Sequence, residues 1–264
     1  MGWWRRGCQW EIRAAVSGLL SREQVLDELD FLATVEHALI VEYLSVYCAL
    51  GYDLDAGEGG ATTQQCSDAA ATASSLAQGE MFLLKGVNLG LLAAGRPAQM
   101  GRAASISSAS VADTPLGPPG MAQLQQLVTR GQAIALAVDE RYTRLAPAVT
   151  SGPVFDGDLL SQMRSVIVDH GPVHAAAFAA IRDSLDGLTP AGFLRATRRD
   201  AADDFEGRLL DISDHSYALT VDALQEQFAQ QAGFSALALS AMEGLDAINR
   251  VLVQRGLLPP FSPH

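Results

Sequence analysis

The sequence predicts an all-α protein: a four-helix bundle with one long crossover after helix two and a C-terminal helical extension. Three observations predict it. Ala and Leu dominate and apolar residues recur at spacings of three and four, strand-like alternation is nearly absent, and Pro and Gly cluster between long periodic segments. At 264 residues the chain can bury a large core without staples.

Residues 1–20 read as an N-terminal arm. Ser21 is a plausible N-cap with Gln24 three residues on, so a first helix is expected from there to about residue 52. Its apolar stripe reads Leu29, Leu32, Glu36, Leu39 or Ile40, Tyr43 and Tyr47. Residues 53–63, Gly-rich and acidic, read as a solvated loop. A second helix is expected over about 67–94, with Leu76, Glu80, Leu83 or Leu84, Val87 and Leu91 on one face. Gly95-Arg96-Pro97 stops it, because Gly suits the left-handed position past a helix end and Pro cannot continue the ladder.

Residues 96–120, rich in Ser, Ala, Gly and Pro, are long for a loop. Antiparallel neighbours need only a few connecting residues, whereas a bundle with a crossover needs a long connection. A third helix is expected over 121–149 and a fourth, after Ser151-Gly152-Pro153, over 158–185, which closes a bundle of residues 21–185. Residues 186–264 then hold a turn-rich linker with a short helix near Phe193 and two further helices, about 206–230 and 235–255, packed on the bundle.

The balance of 30 acidic against 18 basic residues repels polyanions, so nucleic acid is not an expected partner. No run reaches the roughly 18 uninterrupted apolar residues of a membrane span. Cys8, Cys48 and Cys66 are odd in number and lack Cys-x-x-Cys spacing; they read as reduced thiols of a soluble, cytoplasmic protein.

Glu36 is the first chemical anomaly. A carboxylate on the apolar stripe of a long helix must be paired, protonated or bound to a cation. Glu80 repeats the anomaly on helix two. Helix four adds His170 and His174, at i and i+4 on one face with Met163, Ile167 and Phe178, a spacing used for metal ligation and equally met by buried histidines bonded to carbonyls or to Glu36. Pro172 between them predicts a kink or bulge. Tyr43, seven residues past Glu36, lies on the same stripe and can hydrogen-bond a core carboxylate or serve as an ordinary core aromatic. Asp139 and Glu140 are further candidate ligands from helix three, although Val138 and Tyr142 fit its apolar face better. His37 points about 100 degrees from Glu36 and reads as interhelical or surface. His215 falls in the extension and His264 is terminal.

These residues resemble the ferritin-like superfamily. Glu36-His37-Ala38-Leu39-Ile40-Val41-Glu42-Tyr43-Leu44 looks like the family's first ligand helix. Glu80-Met81-Phe82-Leu83 through Gly95-Arg96-Pro97 resembles its Glu-x-x-His helix ending in a Gly-Arg turn, and Gly171-Pro172-Val173-His174 resembles the second Glu-x-x-His. The layout, with Met242-x-x-Leu245 to Pro260-Phe261, looks most like iminophenylpyruvate dimer synthase-type domains of natural-product pathways. The family's di-iron site takes a Glu from two helices and Glu-x-x-His from two more. Leu83 and Gly171 stand where a His and a Glu are expected.

What remains is Glu36, Glu80, His170, His174 and an acid such as Glu140, which suits either one non-haem iron or a metal-free acid and base cluster. The expected function is a tailoring enzyme acting on a small apolar or aromatic substrate, either by oxidation or by an imine or enol condensation or cyclisation of the kind the resemblance implies. The alternative is a non-catalytic binding or partner protein with a degenerate di-iron site. A homo-oligomer is compatible with either. Iron storage is not favoured, since an acidic surface alone does not support it.

Overall fold

The computed structural model describes residues 19–51, 61–117, 121–151, 171–187, 194–229 and 236–262. Six α-helices are present among them: α1 (Arg22–Ala49), α2 (Ala61–Ala93), α3 (Met121–Ser151), α4 (Gly171–Ser184), α5 (Asp204–Ala229) and α6 (Ala236–Gln254). Helix α1 packs on α2 and α3, and α4 packs on α2 and α3, so the four close a ring in the order α1, α2, α4, α3. Helices α5 and α6 pair with each other and touch the ring through α2 and α1 respectively.

Helix α1 starts as its sequence demands. The Gln24 backbone N–H donates to the Ser21 hydroxyl at 3.3 Å and the Ser21 N–H donates to the Gln24 side chain at 3.0 Å, the reciprocal capping box. Helix α2 begins at Ala61, six residues before the expected start; Gln64 donates to Asp68 one turn on at 2.8 Å, a side-chain pair that supports this extra turn. It ends in a Schellman motif: Gly95, at φ 83°, donates to Leu92 O and Arg96 to Leu91 O. The Arg96 guanidinium then reaches back 2.8 Å to both Glu23 and Asp27 and ties this end to the start of α1.

The crossover is not wholly irregular. It contains a two-residue antiparallel pair, β1 (Ser105–Ile106) with β2 (Thr114–Pro115), in the register Ser105 to Pro115 and Ile106 to Thr114. Runs this short leave no periodic trace in a sequence. Side chains pin the segment down: the Gln99 N–H donates to Asn88 Oδ1 at 2.6 Å, Arg141 Nε donates to Ser107 O at 2.7 Å, and the Ala103 N–H donates to Thr34 O at 2.9 Å. Of the expected fourth helix, residues 158–170 lie outside the described residues, as does the short helix expected near Phe193.

Helix α1 is the buried axis. By length and composition it could cross a membrane, yet 78% of its most apolar window is enclosed by the fold. Its inner face meets α2 and α3, and its outer face is covered by the crossover and the C-terminal helices. The linker and C-terminal segment are sewn to it. Arg195 N–H donates to Ala49 O at 2.7 Å, and a parallel bridge joins Thr197 to Leu257. Ser213 bonds Asn249 at 2.7 Å between α5 and α6. At the start of α5, Glu206 accepts two bonds from the Arg199 guanidinium, which together with the Ala202 N–H hold its pKa at about 2.

Candidate functional site

Two buried glutamates on α1 face opposite fates. Glu42 is 0% exposed and ion-paired with Arg130 of α3, and it accepts the Gly117 N–H at 3.3 Å. That is a neutralised charge serving structure, joining α1 and α3 to the end of the crossover. Glu36, also 0% exposed, instead meets another acid, Glu80 of α2, at 0% exposure, and the charges of the two carboxyl groups act on each other. Two carboxylates so close cannot both ionise in a dry core. Burial first, then the charge of Glu36, push the Glu80 pKa well above the ordinary carboxylate value.

Tyrosines from α1 and α3 flank the pair. Tyr142 of α3, fully buried, donates its hydroxyl to Glu36 Oε1 at 2.7 Å. Tyr43 lies on the same face of α1 as Glu36. Burial, followed by the surrounding glutamate charges, pushes both phenols well above their usual range, so both stay protonated. Phe178 of α4 packs its ring 5.5 Å from that of Tyr43, tilted by 59°. Gly131 of α3 makes this possible: a Cβ there would stand 2.5 Å from two Phe178 ring atoms.

No family model matches the sequence, and no curated protein matches it. Among solved structures, a ferritin-like protein from Caulobacter vibrioides aligns over 94% of this chain and 100% of its own, with a TM-score of 0.59 and 13% sequence identity. The fold is ferritin-like. At that identity the likeness carries architecture and says nothing of activity.

A ferritin-like di-iron centre needs carboxylates from four helices and two imidazoles. The described side chains do not fit it. Leu83 stands three residues past Glu80, where a Glu-x-x-His pattern would put an imidazole, and the α3 side chain that reaches the pair is the phenol of Tyr142. Among the described residues no three His, Cys, Asp or Glu side chains converge. His174 belongs to the first turns of α4, but its side chain, like the whole of His170, lies outside the described residues.

Glu140, expected as a ligand, is not with the pair. It accepts the Ser110 N–H at 3.2 Å and the Ser110 hydroxyl on the crossover side. Val138 and Tyr142 occupy the inward stations of α3, and a residue two positions from either is turned about 200 degrees away. His37 is interhelical and buried. Its Nδ1 lies 2.8 Å from Met100 O and its Nε2 2.6 Å from the Tyr217 hydroxyl, so Nδ1 carries the proton and Nε2 accepts from the phenol. Burial lowers its pKa, opposed by the two carbonyls it faces. His215 bonds Asp211 O within α5, far from this chemistry in its contacts.

Tyr142 is the residue that the sequence did not single out. A tyrosine at an inward station must find a partner for its hydroxyl, and that requirement, applied to helix three, points to it.

Proposed function

We propose that this ferritin-like chain is a small-molecule tailoring enzyme that works on an apolar or aromatic substrate at the Glu36–Glu80 pair. The observation that carries the proposal is the pair itself. A buried ion pair such as Glu42–Arg130 has attraction to offset desolvation, whereas two facing acids add repulsion to it. Apolar residues would hold these helices together better, so the pair points to chemistry and not to structure.

A pair that holds one proton can give it and take another. Glu80, with the raised pKa, is the donor to an imine nitrogen or carbonyl oxygen; Glu36, oriented by the Tyr142 hydroxyl, is the acceptor of a proton from the adjacent carbon. Tyr43, with Phe178 packed against it, is the aromatic side chain beside the pair that a substrate would meet. This suits imine or enol condensation and cyclisation. The finer likeness to iminophenylpyruvate dimer synthase-type domains rests on the sequence motifs alone. A single non-haem iron is the alternative, held by Glu36, Glu80 and the helix-four histidines, and when bound it would supply oxidative chemistry. The buried thiols of Cys48 and Cys66 accord with a reducing, cytoplasmic setting.

The test incubates the purified chain, of measured iron content, with a panel of aromatic 2-imino and 2-oxo acids, with and without chelator. Turnover that survives chelation and falls about 100-fold or more in Glu36→Gln and Glu80→Gln is expected. Iron-dependent oxygen uptake would replace the acid and base mechanism with oxidation. No turnover by the wild type, or full turnover by both variants, would leave a non-catalytic binding role.

A further inference from the structure

We propose that Arg102 and Arg198 form a binding site for a small oxyanion, a carboxylate or phosphate group, where the crossover, the linker before α5 and the C-terminal segment meet. The two arginines are remote in sequence and are brought to consecutive carbonyls. Arg102 donates to Phe261 O at 2.6 Å and Arg198 donates to Pro260 O at 3.0 Å. Phe261, buried and packed edge-on to Tyr217 at 5.5 Å, has φ 45°, the one non-glycine positive φ among the described residues. The turn it makes is where the two guanidinium groups gather.

What marks the site is that no carboxylate among the described residues pairs with either arginine. In a chain with 30 acidic residues, Arg96 faces three carboxylates, Arg130 has Glu42 and Arg199 has Glu206. Among the described residues, neither Arg102 nor Arg198 has an acid within ion-pair distance. Instead they act on each other: Arg198 is less basic than usual, through burial and then through the charge of Arg102. Asp214, whose charge acts on Tyr217 at this junction, accepts the Ser262 N–H at 2.8 Å.

A guanidinium carries five N–H donors in a fork that matches an oxyanion, and here each gives one to a main-chain carbonyl. Arg102 also lies over the Tyr217 ring, 6.0 Å from its centroid, which holds it in place. Arg102 is partly exposed, and Arg198, although partly enclosed by its neighbours, stays open to solvent, so an anion reaches both. An oxyanion between them removes their repulsion and fills their remaining donors. The site stands on the outer, His37 side of α1, and it does not depend on the reading of Glu36 and Glu80.

Calorimetric titration of the full chain with inorganic phosphate, and in parallel with acetate, at constant ionic strength held by chloride, tests the proposal. Saturable binding of one anion per chain is expected, weakened roughly tenfold or more in Arg102→Gln and in Arg198→Gln. The preferred probe tells a phosphate ligand from a carboxylate one. Arg198→Gln, at an exposed position, keeps the test decisive should Arg102→Gln unfold, as circular dichroism would report. Absence of saturable binding to the wild type, or unchanged affinity in Arg198→Gln, overturns the proposal. So does binding that appears only after residues 263–264 are removed, since the pair would then be a clamp for the chain's own end.

Discussion

Replacing Gly131 with alanine and, separately, Gly79 with alanine sets one contact of the site against a matched control. Both glycines lie inside helices, α3 and α2, so each substitution gains up to about 1 kcal/mol of helix propensity. At Gly79, which is exposed, nothing lies within 4 Å of the new methyl group, and the gain should appear undiminished. At Gly131 the methyl would stand 2.5 Å from two atoms of the Phe178 ring and 2.7 Å from a third. That ring is fully buried and backs onto Tyr43 at 5.5 Å, so it has nowhere to retreat. Overpacking of this kind costs about 1–3 kcal/mol, which cancels or outweighs the propensity gain. The two variants should therefore differ by about 1–3 kcal/mol, Gly79→Ala being the more stable. Urea denaturation reads this as a separation of midpoints at a common slope. Midpoints that coincide, or a Gly131→Ala variant above Gly79→Ala, would refute the close approach of α3 and α4.

Three further outcomes follow from the polar core. Tyr142→Phe removes the donor to Glu36 and should lower stability by about 1–3 kcal/mol in the same urea assay; a neutral result would mean the hydroxyl is not bonded as described. Because the folded pKa of Glu80 lies above 4.5, the native state keeps a proton that the unfolded chain releases as pH rises past that value, so stability falls over the window between the two. Glu80→Gln should remove that fall, gaining on the wild type above pH 4.5 and losing its advantage below it; a difference that does not vary with pH contradicts the shift. His37 runs the other way: its folded pKa lies below 6.5, so its contribution is whole above 6.5 and is lost as pH falls through the folded value. His37→Gln should flatten this acid limb in thermal melts at stepped pH, and an unchanged limb would assign it elsewhere.

Local signals were legible where one residue type has one physical use. The Ser21 and Gln24 spacing names a capping box, and Gly95 before Arg96 and Pro97 names a helix end; the length of residues 96–120 predicts a crossover. Glu36 and Glu80 stand out because a periodic apolar stripe makes an acid conspicuous. Periodicity was less use on α3, where adjacent acids at 139 and 140 drew attention while Tyr142, which fits an apolar face, passed as core. Which of two neighbouring residues turns inward depends on about 100 degrees of helix rotation, set by packing against α1 and not by composition. Pairings across the chain, such as Arg102 with Arg198 or His37 with Tyr217, leave no local trace at all.

The enclosure of α1 has a consequence for how such chains can be shortened. His37 and its neighbours one turn away, Ala33 and Val41, are apolar or neutral because α5, α6 and the crossover shelter them. A version of this bundle ending before residue 204 would present that face to water on a helix already apolar enough to enter a lipid bilayer. Residues 204–264 therefore keep the apolar outer face of the first helix out of water. Truncation should yield aggregated or membrane-adherent protein unless Val41 and its neighbours are made polar as well.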